Sequence, residues 1–367
     1  MAARTRSTRR ANDLPPTDRV MVLGASYGAL FGTRLLAAGY EVDFVCREEE
    51  ARFLREEGTL VTLPVRGHPH PVTLRSATLP GVLSASSPDA AFPDDCALVV
   101  FAMQEPQLAA PEIAALLRRI AEARRPCLSI MNMPPLPYLR RLSGIDTTSL
   151  LDCYTDASVW NAFDPDWFTH ASADPQAARP AGQPPNVLRV GLPTNFKVAP
   201  FAEDGPTTLL HELQRATDAT RIDLDGESVA LPVRIRLCGS IHAPLAKWSM
   251  LLTGNYRCVL PDGARSIRTA VTDDPTRSRE VYEWVGELCL ALGASEDDLV
   301  PFERYEAASR LLLAPSSVAR AIEGGAKEVE RVDLLLQHLG RSHGMIHPEV
   351  DRIVETIDAR LARNRGY

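Results

Sequence analysis

An apolar run ending in a glycine turn, then a helical pattern and a second apolar run, leaves this chain few folds. Residues 19–24 (RVMVLG) have the composition of a buried parallel strand and stop at a glycine. Residues 28–38 (GALFGTRLLAA) carry apolar side chains at helical spacing up to Gly39, and 41–46 (EVDFVC) form a second strand. This is a βαβ unit, the opening of a dinucleotide fold. Strands at 97–102 and 127–131, with a helix at 112–124 between them, continue the alternation. The fold class that follows is α/β, a parallel Rossmann sheet with helices on both faces.

The turn itself reads Gly24-Ala25-Ser26-Tyr27-Gly28 and runs on to Gly32. Glycines in such a turn let the backbone curl and approach a pyrophosphate, and the helix that follows presents free N–H groups to it. Here the pattern has slipped, with Ser26 at the second glycine position. The end of the second strand selects between cofactors: an acid there bonds a ribose 2′-hydroxyl, and an arginine accommodates a 2′-phosphate. Arg47 stands at that point, which predicts NADP(H). Glu48, Glu49 and Glu50 follow it, and as the first turn of a helix they suit the dipole and can point elsewhere.

A length of 367 residues exceeds one core and suits two domains. The expected division is a disordered tail over 1–18, an NADP-binding domain over 19–222 and a helical catalytic and dimerisation domain over 223–367. Within the second, Pro, Ala, Asp and Gln crowd an irregular insertion at about 152–186, read as a surface excursion. Strands are expected at 187–191 and 197–201. Beyond 222 apolar residues recur at helical intervals, at 243–252, 276–292, 297–313, 317–322, 329–339 and 348–363.

The net charge of −7 gives no general attraction to nucleic acid or an anionic membrane, and the basic run 4–10 reads as part of the tail. No stretch approaches the ~20 apolar residues of a membrane span, and no apolar secretory segment follows the N-terminus. Seven scattered cysteines without a CxxC pair are the pattern of reduced thiols, so a cytoplasmic protein is expected. Of the 40 basic residues only three are lysines, Lys197, Lys247 and Lys327. A lysine in an apolar setting therefore needs a reason.

Lys247 stands in HAPLAKWSMLLTGNY, residues 242–256, where a helix would align it with Leu251 and Asn255. Burial among Leu, Trp and Met lowers an ammonium's pKa, and a lysine so tuned can donate a proton near neutral pH. The plainer reading is a packed stem with its head in water.

Taken together, these landmarks resemble the ketopantoate reductase family along the whole chain. They are the turn Gly24–Gly32, Arg47, Asn132 after a later strand, Lys247 with Asn255, Ser316-Ser317, Glu328, and His343-Gly344 before Pro348. The resemblance implies a Rossmann domain followed by an all-α domain, and hydride transfer from NADPH to the carbonyl of a 2-keto acid. It implies that Lys247 protonates the developing alkoxide and that Asn132 holds the lysine and the nicotinamide ribose. Glu328 then offsets the ammonium, Ser317 bonds the substrate carboxylate and Asn255 a polar group on the substrate's tail. Gly24, Ala25, Ser26, Tyr27, Gly28, Arg47, Gln104 and Asn132 would hold the cofactor, and a homodimer would form through the helical part.

This chain departs from the family at Met133, where glycine is usual, at Leu251 in place of an asparagine, at Ala321 in place of an aspartate, and at Gln104 in place of a lysine. Replacing an amide with an isobutyl group removes a bond to substrate, so ketopantoate is not the expected substrate. A non-catalytic NADP-binding sensor, or an imine or opine-type reductase on the same fold, is the alternative.

Other candidates are plainer. His242 at the head of the lysine helix could assist proton transfer, though contact with the helix end is the simpler role. His338, His343 and His347 lack metal-ligand spacing, and no metal is expected. Ser316-Ser317 has no motif-linked base, which argues against a hydrolase. Trp160, Trp167 and Phe168 read as a packing cluster of the insertion, with a substrate lid as the sharper reading.

Overall fold

The computed structural model describes residues 18–224 and 226–366, so the tail expected over 1–18 lies, apart from Asp18, outside the described residues. Eight strands form the main sheet: β1 (Arg19–Leu23), β2 (Glu41–Val45), β3 (Val82–Ser86), β4 (Leu98–Phe101), β5 (Cys127–Ser129), β6 (Phe168–Ser172), β7 (Phe196–Val198) and β8 (Ile235–Leu237). Their spatial order is β8-β7-β6-β5-β4-β1-β2-β3. Every pair is parallel except β6 with β7. The chain order reverses between β1 and β4, so a crevice opens at the carboxyl ends of those two strands.

The run of buried residues in β1 reflects cover on both faces. Val20 and Val22 point to one side, with Leu30, Phe31 and Leu35 of α1 (Gly28–Ala37). Met21 and Leu23 point to the other, with Ile113, Leu116 and Ile120 of α3 (Pro111–Ala123). Between them in the chain, α2 (Glu48–Glu57) follows β2 and opens on the three glutamates. A smaller four-stranded sheet joins Val72–Arg75, Leu60–Leu63, Val187–Leu192 and Gln176–Ala178.

The first two strands, their helix and the strands around 98 and 127 lie where the sequence places them. The insertion does not. Its middle, β6, is buried at all five positions and lies between β5 and β7. FTHAS is too polar to read as a core strand, and its polar side chains are accommodated individually. The Thr169 hydroxyl donates to the Ala199 carbonyl at 2.8 Å. His170 packs on Tyr138, and burial drives its pKa down to about 3, so the ring is neutral.

The change to helix also comes later than the expected boundary at 222. A two-stranded ribbon, Arg221–Leu224 with Glu227–Ala230, and then β8 precede it. Before the ribbon runs α4 (Asp204–Ala219), which the sequence reading leaves unassigned; it buries Leu209, Leu210 and Leu213 against the sheet.

Beyond Leu237 the chain is helical. The elements that matter below are α5 (Ala246–Met250), α6 (Pro275–Ala291), α7 (Ser317–Glu323), α8 (Val332–Ser342) and α9 (Pro348–Arg365). They have no core separate from the sheet. One apolar cluster runs from Met21, Leu23 and Phe101 through Leu251 and Leu288 to Leu335 and Ile357. No helix among the described residues is long and apolar enough to cross a membrane.

Candidate active site

Gly24 shapes the turn after β1. Its φ of +99° lies in the left-handed region, its N–H donates to the Val45 carbonyl at 2.8 Å, and a Cβ there would come within 3.0 Å of the Ala102 carbonyl oxygen. The later glycines serve packing. A Cβ on Gly28 would meet Val22 at 2.6 Å, and one on Gly32 would strike the Phe44 ring, so both let α1 lie close on the sheet. Ala25 is buried, Ser26 is exposed on the turn, and the helix N-terminus follows directly. Tyr27 turns its ring toward Phe196 and donates its hydroxyl to the Pro175 carbonyl at 2.9 Å.

Arg47 is exposed at the end of β2, at the N-cap position of α2. Two of the three acids after it are turned aside: Glu48 pairs with Arg55 at 2.9 Å, and Glu50 pairs with Arg179 of the insertion. Gln104 is exposed beyond β4, where its backbone N–H is held by the Gln107 side chain at 3.0 Å.

Across the switch point the loops after β4 and β5 face the helical part. Gln104, Asn132, Leu251, Asn255, Tyr256, Ser317, Val318, Ala321, Val329 and Glu330 line a narrow cleft. Six positions singled out in the sequence, Gln104, Asn132, Leu251, Asn255, Ser317 and Ala321, thus converge on one space from four separate segments. α5 passes at Met250 into a π-helical turn, Leu251–Asn255. Single wide turns of this kind recur at functional sites. Tyr305 fills the opened backbone, its hydroxyl donating to the Met250 carbonyl at 3.0 Å, and a Cβ on Gly254 would collide with that hydroxyl. The Ser316 side chain caps α7 and donates to the Asn255 carbonyl at 2.6 Å, which leaves Ser317 to face the cleft.

The glutamate of the site is Glu330, not Glu328. Glu328 is exposed and paired with Arg365 at 2.9 Å. Glu330 is buried and accepts from Asn132 Nδ2 at 3.2 Å and from the Met133 N–H at 3.4 Å. Tyr256 fixes this segment, its hydroxyl donating to the Glu330 carbonyl and accepting from the Val332 N–H. Burial pushes the Glu330 carboxyl above its ordinary pKa, against the pull of those hydrogen bonds. Beside it Glu105, held by the Thr155 N–H and hydroxyl at 3.0 and 3.1 Å, is pushed by burial up to about 7. Neither Glu105 nor Glu330 announces itself in the sequence, where both sit outside any periodic pattern.

Lys247 lies one helical turn before Leu251 and is 7% exposed. Its Nζ stands 3.7 Å from Asp174 Oδ1, a carboxylate contributed by the loop after β6. Burial lowers the ammonium's pKa most, Asp174 opposes that shift, and Lys197 of β7 adds to it.

The remaining candidates go elsewhere. The Nε2 of His242 lies against Gly293. The Nδ1 of His347 accepts from the Glu349 N–H at the start of α9, and that of His343 contacts the Leu339 carbonyl. His338 reaches the Ser149 carbonyl, next to Asp152 and Cys153. Trp160 and Phe168 are fully buried against Phe101 and Phe163, and Trp167 is half-buried. The pair is core, not a lid.

No protein-family model and no curated protein sequence matches the chain. Solved structures do. The 2-dehydropantoate 2-reductase from Methylococcus capsulatus superposes with a TM-score of 0.65 at 13% identity, over 95% of this chain and 98% of its own. A PanE/ApbA family ketopantoate reductase from Ralstonia eutropha JMP134 gives 0.64 at 15%, over 95% and 99%. The ternary structure of D-mandelate dehydrogenase with NADH and anilino(oxo)acetate gives 0.63 at 14%, over 95% and 99%. The chain has the fold of the ketopantoate reductases. At these identities the likeness is one of architecture, and it runs nearly end to end in both directions.

Proposed function

We propose that the chain is a nicotinamide-dependent reductase of a 2-keto acid, with NADPH preferred and Lys247 as the proton donor. The observation that carries this reading is the convergence of Asn132, Asn255, Ser317 and Glu330 on one cleft. That cleft lies beyond the carboxyl ends of β4 and β5, a helical turn from a buried lysine.

The turn residues fit a dinucleotide. Gly24 takes a backbone conformation that favours glycine, α1 starts directly beyond it, and Arg47 stands exposed where a 2′-phosphate would be met. Gly24, Ala25, Ser26, Tyr27 and Gly28 would hold the pyrophosphate, with Arg47, Gln104 and Asn132 along the rest. A bound nicotinamide supplies the hydride. On the protein side, Lys247 Nζ gives a proton to the alkoxide oxygen as it forms, and burial, which lowers the ammonium's pKa, makes it a readier donor. Ser317 and Asn255 offer hydrogen bonds to the substrate's polar atoms. Leu251, Val318, Ala321 and Val329 offer only apolar surface, which favours an apolar tail over the hydroxylated one of ketopantoate. The structural neighbour D-mandelate dehydrogenase, bound to anilino(oxo)acetate, supports such a tail.

A panel of 2-keto acids followed by NADPH oxidation, with NADH as the control, tests the reading. Lys247→Ala should lower turnover by about 10²–10⁴-fold while NADPH still binds. Absence of turnover on the whole panel by a wild-type protein that binds NADPH would leave the non-catalytic sensor.

A further inference from the structure

In the structure Glu330 is fully engaged by Asn132 and the Met133 N–H. The carboxylate that meets Lys247 comes instead from the opposite wall, at the end of β6. We propose that Asp174 is the positioning residue for Lys247, aiming its ammonium and keeping it charged, with Lys197 as the opposing charge on the same wall.

Geometry carries this. Both members of the pair are largely withdrawn from solvent, with side chains 8% and 14% exposed. Asp174 Oδ1 is buried and has no hydrogen-bond partner among the described residues, so the nearby ammonium is what compensates its charge. The loop that carries it is anchored on both sides: β6 ends at Ser172, and the Pro175 carbonyl accepts from Tyr27. Lys197 lies on β7, paired in register with Ser172 at the end of β6, and its charge acts on Lys247.

The titratable groups that feel the pair's charges are Tyr27 on the glycine turn, Cys238 after β8 and Tyr282 on α6, with the Asp298 carboxylate also acting on Cys238; Cys289 on α6 and Tyr305 are buried nearby in the helical part. Burial pushes each of these tyrosines and cysteines further into its neutral form. Among the described residues Asp174 is the carboxylate paired with Lys247, and Lys197 is the ammonium that opposes it. Removing Asp174 leaves two like charges, and Lys247 should lose its proton more readily.

This deepens the reductase reading and rests on it for its catalytic meaning, but the test needs no substrate. Three lysines give three side-chain signals in protein labelled with ¹³C-lysine, assigned with single Lys→Arg variants. The titration midpoint of Lys247 should fall by about one unit or more in Asp174→Asn. It should rise in Lys197→Met and stay in place in Glu330→Gln. Asp174→Glu should restore most of the wild-type midpoint. Asp174→Ser removes the same charge and serves if the asparagine variant does not fold. An unchanged midpoint in a folded Asp174 variant, or an equal fall in Glu330→Gln, overturns the proposal. Where a substrate is in hand, the alkaline limb of kcat/KM should move with the midpoint. A shifted midpoint without turnover on any keto acid would sink the reductase reading and leave the pairing intact.

Discussion

Glu328 and Glu330 flank Val329, and they have opposite fates. One holds Arg365 in solvent; the other is buried across the cleft from its own helical part, satisfying donors on the loop after β5. Removing a buried acceptor orphans its donors, whereas an exposed ion pair contributes little. Glu330→Ala should therefore lower stability by about 2–4 kcal/mol, with Glu328→Ala within about 0.5 kcal/mol, both read from urea denaturation. Glu105 gives a pH dependence. Its carboxyl is held near 7 in the folded chain against an ordinary value of 4.5. A raised folded pKa means stability that is present below the unfolded value and lost as pH climbs through the folded one. Relative to wild type, Glu105→Gln should gain on the order of 3 kcal/mol between pH 4 and pH 8. A difference that is flat with pH in paired denaturation curves would show that Glu105 ionises as freely folded as unfolded.

At the scale of elements, what could be read from sequence was what repeats. β1, α1, β2 and the helices after Leu237 follow apolar patterning, and six residues of the cleft are among those the family resemblance picks out. What escaped was what is satisfied individually. β6 is buried through separate partners for Thr169 and His170, and FTHAS carries no alternation. Asp174 and Glu330 act through tertiary neighbours that spacing cannot specify. The π-helical turn was equally hidden, since LLTGN reads as an ordinary helix. Its test is steric. Alanine is the better helix former, yet Gly254→Ala should destabilise by about 1–3 kcal/mol because its Cβ meets the Tyr305 hydroxyl. In a Tyr305→Phe background most of that cost should vanish. Additive effects in the double-mutant cycle would mean that the clash is not what limits the site.

At the scale of the molecule, the sheet and the helices share one side of the core. Phe101 and Trp160 belong to the same apolar cluster as Trp248, Leu288 and Leu335. The helical part then lacks a core of its own to survive on, and the chain should unfold in a single transition. Trp160 on the sheet side and Trp284 in α6, each retained alone in a Trp→Phe background, should report the same denaturant midpoint. Separated midpoints would instead assign the helices independent stability. The same continuity ties the cleft's two walls together, so damage to either wall should be felt as loss of the whole fold.

The π-helical turn also divides the lysine helix into two parts that can be indexed separately. Lys247 precedes it, while Leu251 and Asn255 lie within it. Deleting one residue there would restore a regular helix and swing every later side chain by about 100°. Lys247 would stay where it is. A single-codon deletion or insertion could thus exchange the side chains that line the cleft without moving Lys247, a rearrangement that point substitution does not offer.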